Sequence, residues 1–152
     1  MSPELNIFFI AMSPIVELRG SIPLAIELYG LSWQSAYIWS VLGNILPIPF
    51  ILLFLHFFSD FLCVRSHTFK YFFEWLLERT RRNNAKKFEH WASAALFIFV
   101  AIPLPLTGVW SGCVAAFVFG IPFKKAFLFI AAGSLVAGVA VLLLTLGIGN
   151  II

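Results

Sequence analysis

Four long apolar stretches dominate this chain, and two of them are interrupted near their centres. The stretches cover residues 5–30, 33–64, 91–120 and 121–152. A helix that spans a bilayer needs about 20 apolar residues, so each stretch is long enough to cross. Of the residues, 61% are hydrophobic and 11% are charged, whereas about a quarter of the residues in a soluble domain are charged. The sequence therefore predicts one domain, an all-α integral membrane protein.

The first and third stretches are broken by Pro and Gly, within residues 13–23 and 102–112. Pro removes a backbone donor and kinks or ends a helix. About ten residues lie on either side of each break, and a helix of ten residues is roughly 15 Å long, half of the hydrocarbon thickness. We therefore predict that residues 5–30 and 91–120 enter the bilayer to its midplane and return as re-entrant hairpins.

The basic residues favour returning hairpins over full crossings. Of the 10 Lys and Arg residues, seven lie within residues 65–87, two are Lys124 and Lys125, and one is Arg19. If both broken stretches return, all of these except Arg19 fall on one side, which the positive-inside rule makes cytoplasmic. The predicted spanning helices are then residues 33–62 and 122–150. Both termini are expected outside a cytoplasmic (inner) membrane.

The two halves, residues 1–64 and 91–152, have the pattern of an internal repeat. A shift of 90 residues places Gly30 on Gly120, Gly43 on Gly133, Asn44 on Ser134 and Glu17 on Thr107. Each half then holds one re-entrant hairpin and one transmembrane helix, so the halves must have opposite orientations. Inverted repeats with broken helices at the midplane recur in secondary transporters.

Residues 65–90, between the halves, have the pattern of an amphipathic helix. Apolar residues recur there at helical spacing, and Lys70–Glu74 and Glu78–Arg82 are opposite charges four residues apart. We predict that this helix lies on the cytoplasmic leaflet, with its cations near anionic headgroups. The alternative is a helix that only sets the topology and has no role in substrate handling.

Glu17 and Arg19 are the sharpest functional signal. Ionisable groups at membrane depth are costly, and by default they mark a functional site. A helix that begins near Gly20 would point its positive end at the same place, so with Arg19 it is expected to hold an anionic group such as a phosphate. Glu17 would counter Arg19 or carry a proton. The alternative is a Glu17–Arg19 ion pair that only pins the hairpin tip.

The second break supplies uncharged candidates. The Thr107 hydroxyl and freed backbone carbonyls could coordinate a cation or a proton path, and the helix after Gly108 offers a second positive end. Asn44 is expected near the midplane, where it hydrogen-bonds a hairpin tip or only joins helices. The complete set of predicted substrate- or ion-binding residues is Glu17, Arg19, Gly20, Pro23, Asn44, Pro103, Pro105, Thr107 and Gly108. No metal-ligand spacing, nucleotide loop or Ser/His/Asp set is visible, so we predict no metal, no cofactor and no enzymatic activity.

Two motifs carry a family resemblance. The string Glu17-Leu18-Arg19-Gly20-Ser21-Ile22-Pro23 resembles the Glu-x-Arg-Gly-x-Ile-Pro signature of the small multidrug export family. The segment 103–112 resembles its second motif, although a Gly that the motif has earlier is absent. The resemblance implies export of small compounds. The family in turn distantly resembles the DedA superfamily, whose paired re-entrant hairpins are linked to movement of polyprenyl-phosphate or phospholipid.

The sequence and the resemblance together predict a membrane transporter, coupled to protons or another ion. Its substrate is expected to be a small amphipathic compound or a lipid-linked phosphate, bound at the midplane between the two hairpins. One alternative is an exporter of cationic drugs that uses Glu17 as the binding anion, and another is a non-transporting membrane assembly subunit. The expected partners are membrane lipid and a second copy of the chain, because two crossings give little wall around a cavity; no nucleic acid is expected.

Overall fold

The computed structural model describes residues 2–65, 67–82 and 85–151. The chain is 82% helical, and the described residues contain no strand, which confirms the predicted all-α class. The helices are α1 (Pro3–Met12), α2 (Glu17–Glu27), α3 (Trp33–Ile45), α4 (Pro47–Arg65), α5 (His67–Arg82), α6 (Ala85–Ala101), α7 (Val109–Val118) and α8 (Phe123–Gly149).

Two helical segments are long and apolar enough to cross a membrane, Trp33–Phe61 and Phe123–Gly149. The first consists of α3 and most of α4, which meet at Leu46. Pro47 and Pro49 follow this point and supply no backbone N–H to the preceding turn, so the helix is interrupted there. Both segments coincide with the predicted spanning stretches. The re-entrant path of the other helices and the inverted repeat stay predictions.

The break between α1 and α2 is shorter than the sequence predicted. It occupies residues 13–16, and α2 already begins at Glu17, so the expected helix start near Gly20 is wrong. Gly20 lies inside α2, where a Cβ would run into the Val16 side chain, and Pro23 also lies within the helix. The break between α6 and α7 occupies residues 102–108.

The middle of the chain is also divided differently. The predicted helix over residues 65–90 is two helices, because α5 ends at Arg82 and α6 begins at Ala85. The pair Asn83-Asn84 is also a plausible turn in the sequence, and these two residues lie outside the described residues. Glu89 of α6 forms an ion pair with Lys125 of α8. The Lys70 and Glu74 side chains are exposed, and the Arg82 side chain lies outside the description.

The two halves are packed into each other. Within each half, α1 packs on α3 and α6 packs on α8, while between the halves α2 contacts α8 and α7 contacts α4. Glycines allow the close approaches: a Cβ on Gly43 would meet the Phe8 carbonyl, and one on Gly133 would meet the Phe97 carbonyl and Val100. Small residues let apolar helices pack closely in this way. The packing brings the α1–α2 break against the α6–α7 break.

Large apolar side chains cover the outer surface of α4. Phe50, Phe54, Phe57, Phe58 and Phe61 are all exposed. A soluble protein rarely leaves so large an apolar patch in contact with water. The outward face of α4 is therefore suited to lipid.

Candidate functional site

The Glu17 carboxylate lies at the junction of the two breaks. Glu17 is 7% exposed, and its φ of 48° turns the chain at the start of α2. The Trp110 backbone N–H donates to Glu17 Oε1 at 3.4 Å, and the Val109 N–H also interacts favourably with the carboxylate. These groups belong to the first turn of α7, whose free N–H groups and helix dipole favour a negative charge. Glu17 thus caps a helix of the other half.

Gly108, immediately before α7, leaves the space that this carboxylate occupies. A Cβ on Gly108 would overlap the Glu17 carboxylate. Its φ of −142° is extended backbone that any residue adopts, so contact with Glu17, and not the backbone conformation, requires glycine here. The Gly108 N–H donates to Ser111 Oγ at 2.8 Å, which fixes the start of the helix.

Arg19 reaches the second break at a different point. Its Nη2 donates to Thr107 Oγ1 at 2.9 Å. The Thr107 hydroxyl in turn lies 2.7 Å from the carbonyl of Ile102 and 2.9 Å from that of Leu104, and it donates to this pair. Both carbonyls belong to the proline-containing segment, where regular helical partners are missing. Thr107 therefore links Arg19 to the interior of the second break.

A third link joins the breaks through Trp110. The indole Nε1 of Trp110 donates to the carbonyl oxygen of Met12 at 3.3 Å, one of the last carbonyls of α1. The first break thus contacts the second through a carboxylate, a guanidinium and a backbone carbonyl.

Glu17 and Arg19 do not form an ion pair with each other. In the part of the chain that the structure describes, ion pairs join Glu89 to Lys125 and His56 to Asp60. Residues two apart on a helix point to different sides, and each of these two side chains bonds across to the other half, although their charges still interact. The positive end of α7, which the sequence offered to an anionic substrate, is already occupied by Glu17.

Four of the predicted site residues meet at this junction: Glu17, Arg19, Thr107 and Gly108. Pro103 and Pro105 lie in the same break, while Gly20 and Pro23 lie within α2. Asn44 instead donates from Nδ2 to Ser134 Oγ at 3.0 Å, which joins α3 to α8. The sequence did not predict the contacts of Trp110 and Met12. Trp110 could have been found from its place in the first turn of the helix that follows the second break.

An apolar groove of about 500 Å³ borders the junction. It is lined by Met12, Leu46, Pro47, Phe50, Ile51, Phe54 and Trp110. Two of these residues, Met12 and Trp110, also form the hydrogen bond between the breaks. The junction therefore offers charged groups and an apolar surface side by side.

The comparisons with known proteins point to one family. No curated protein and no solved structure is significantly similar to the chain, and nothing extends the likeness to the DedA superfamily. The family described as "Putative small multi-drug export protein" matches residues 17–140, which include the whole junction from Glu17 to Trp110. Its description points to a transporter and not to an enzyme, and with the two apolar helices it makes this chain a membrane protein. The match covers most of the sequence, so the chain belongs to the putative small multi-drug export protein family.

Proposed function

We propose that this chain is a secondary transporter of small amphipathic compounds, with the junction of the two breaks as its substrate site. The observation that carries the proposal is the buried Glu17 carboxylate, held by the first turn of α7 next to a glycine that leaves room for it. A buried charge is costly, and apolar residues of similar volume would often stabilise a fold equally well. A carboxylate and a guanidinium at this depth therefore favour a functional site.

In the proposed topology both breaks lie near the bilayer midplane and belong to re-entrant hairpins of opposite orientation. Lys124 and Lys125 stand at the start of α8, on the same predicted side as the basic middle segment, which supports a cytoplasmic location for that side. Both termini are then outside the cytoplasmic membrane. A homodimer would cover hairpin surface that one copy leaves open to lipid.

The junction supports an exchange mechanism. A guanidinium has five N–H donors. Among the described residues, Thr107 is the hydrogen-bond acceptor for the guanidinium of Arg19. An acidic group on the substrate would bind the remaining donors and compete with Glu17 for the N–H groups of α7. Release of Glu17 is favoured when it takes up a proton, because a neutral carboxyl accepts weaker hydrogen bonds than a carboxylate. Proton uptake and anion binding would thus be linked.

The neighbouring groove suits the apolar part of such a substrate. Its walls are aliphatic and aromatic, and it reaches the junction at Trp110. A compound with an acidic group on Arg19 could place its apolar part there. This arrangement fits a small amphipathic anion, and it also fits a lipid-linked phosphate.

Transport in liposomes tests the proposal. We would reconstitute the protein with a pH gradient and follow two fluorescent probes, an amphipathic organic phosphate and a lipophilic cationic dye. Glu17→Gln and Arg19→Gln are expected to reduce movement of the phosphate probe by about tenfold or more, since truncating one partner of a buried charged contact costs about 2–5 kcal/mol. The matched controls are Glu27→Gln and Arg65→Gln, which change exposed residues at the ends of α2 and α4 and should keep full transport.

Other outcomes identify the alternatives. An exporter of cationic drugs would move the dye, lose this activity in Glu17→Gln and keep it in Arg19→Gln. A membrane assembly subunit would move neither probe, and the exchange of charges in Glu17→Arg/Arg19→Glu would affect folding alone. Equal transport by the wild type and both junction variants would contradict the proposed site.

A further inference from the structure

A second buried polar cluster lies away from the junction, where α2, α3 and α8 contact one another. Asn44 of α3 is 3% exposed, and its Nδ2 donates to Ser134 of α8. Its Oδ1 has no hydrogen-bond partner among the described residues. Ser40 is fully buried one turn earlier on the same helix, and its Oγ also has no partner in the described part of the chain.

The two oxygens share one face of α3. Residues four apart on a helix are neighbours on its surface, so Ser40 and Asn44 stand one above the other. Asn44 is turned to α8, because it bonds Ser134, while Gly43, three residues after Ser40, lies against Phe8 of α1. Buried oxygens without partners are uncommon in native proteins, and each calls for an explanation such as a bound ion or water.

The backbone adds more acceptors beside Asn44. In a helix, the N–H of Pro47 would serve the carbonyl of Gly43, and that of Pro49 would serve the carbonyl of Ile45. Proline has no N–H, so the carbonyls on both sides of Asn44 lack their usual donors. Several oxygen acceptors beside Asn44 thus have no assigned donor, which suits a cation.

We propose that Asn44 Oδ1 and Ser40 Oγ, with Ser134 Oγ and the neighbouring carbonyl groups of α3, form a binding site for a monovalent cation, and specifically for Na⁺. The ligands are neutral amide, hydroxyl and carbonyl oxygens. Ca²⁺ and Mg²⁺ sites usually include one or more carboxylates, and the side chains of this set have none. The ligand set therefore matches a hard ion with a single charge.

The position of the site gives the cation a role in transport, and this part of the inference rests on the proposed function. The cation would join α3 to α8, and α2 packs against both helices. Because α2 carries Glu17 and Arg19, a change in the spacing of α3 and α8 changes the surface on which the junction is supported. The bound cation would favour the arrangement in which the two breaks are in contact.

Thermal unfolding of the purified protein tests the site without any transport assay. The midpoint would be followed by tryptophan fluorescence in detergent, in NaCl, KCl or choline chloride at one ionic strength. Na⁺ at about ten times its Kd is expected to raise the wild-type midpoint by about 3–6 °C over choline, with a smaller shift in K⁺. Ser40→Ala should fold normally, because the hydroxyl has no partner to lose, and it should abolish the Na⁺ shift.

Three further variants keep the test decisive. Ser93→Ala is the matched control, since Ser93 is a buried serine of α6 whose Oγ also has no partner within the described ranges; it should keep the full shift. Asn44→Asp adds a negative charge to the site and should lower the Na⁺ concentration at half-shift by about tenfold or more, because opposite charges in contact attract more strongly in a medium less polar than water. Asn44→Ala should abolish the shift if it folds.

Several results would overturn the inference. They are equal midpoints in all three salts, a shift that Ser40→Ala and Ser93→Ala retain equally, or a half-shift concentration that Asn44→Asp leaves unchanged. A water in place of the ion gives the first of these results. If Na⁺ binds but the junction variants transport normally, the cation site stands and the proposed junction fails; if the junction variants lose transport and Na⁺ has no effect, the reverse holds.

Discussion

The two breaks differ in chemistry, and each supplies what the other lacks. The first break, residues 13–16, is followed at once by Glu17 and Arg19, whereas the second, residues 102–108, carries no charge. The uncharged break provides the N–H groups of α7, the Thr107 hydroxyl and the space at Gly108. A charge buried at membrane depth needs such neutral dipoles around it. The uncharged break is therefore as much a part of the site as the charged one.

Away from the breaks, three pairs of positions 90 residues apart resemble each other. Gly30 and Gly120 both have positive φ, at 62° and 68°. Gly43 and Gly133 both allow a neighbouring helix to approach closely, because a Cβ on either would meet a backbone carbonyl of that helix. Asn44 contacts Ser134, which is the position 90 residues further along the chain. Contact between equivalent positions is what a two-fold relation between the halves would produce.

The largest effect is expected from a methyl group at Gly108. Because the Cβ would overlap the Glu17 carboxylate, Gly108→Ala should displace Glu17 from α7 and destabilise the protein by about 1–3 kcal/mol. Transport should fall by about tenfold for each 1.4 kcal/mol lost at the site. Chemical unfolding and the liposome assay would measure the two effects.

A second substitution tests why Gly108→Ala loses stability. It separates crowding against the Glu17 carboxylate from a change in the backbone conformation at residue 108. Glu17→Ala in the Gly108→Ala protein removes the group that the methyl meets, so it should restore stability and leave transport low. If the double variant is less stable than either single one, the clash at Glu17 is not the cause. The breaks would then not be complementary in the way proposed.

A smaller effect is expected where Arg19 enters the second break. Thr107→Val keeps the shape of the side chain but removes the acceptor of Arg19 and the donor to the Ile102 and Leu104 carbonyls. The loss of stability should be about 0.5–1.5 kcal/mol, which is the net contribution of a typical hydrogen bond. Thr107→Ser keeps the hydroxyl and should lose much less.

Thr145→Val is the matched control for this substitution. Thr145 is a buried threonine whose hydroxyl donates within its own helix to the carbonyl of Val141 at 2.8 Å. Its replacement should cost little, since that carbonyl keeps its helical partner. Equal losses for Thr107→Val and Thr145→Val would show that the second break does not hold Arg19.

Much of the architecture could be predicted because it depends on local features. An ionisable pair in an apolar stretch is conspicuous, so Glu17 and Arg19 were found from the sequence alone. The apolar lengths likewise predicted the two long helices. Local features also gave a wrong prediction. Gly20 suggests the start of a helix, but it lies inside α2 against the Val16 side chain.

The contacts across the site could not be predicted, because they depend on how distant helices pack. Glu17 and Trp110 are 93 residues apart, and they meet because α2 and α7 both pack against α8. The same packing decides that Arg19 bonds Thr107 and does not pair with Glu17. A sequence shows which groups need a partner at membrane depth, but only the fold assigns the partner.

The smallest effect should fall where the halves agree, at the turns after α2 and α7. Gly30 and Gly120 are in the left-handed region, which costs other residues about 1–2 kcal/mol. Gly30→Ala and Gly120→Ala should therefore lose similar amounts of stability, and both should transport normally. At Gly30 the cost is conformational alone, since a Cβ there meets nothing within 4 Å. Gly147→Ala, inside α8 with equal space and ordinary φ, should gain up to about 1 kcal/mol. Unequal losses at the two turns, measured by chemical unfolding, would place a further difference between the halves outside the breaks.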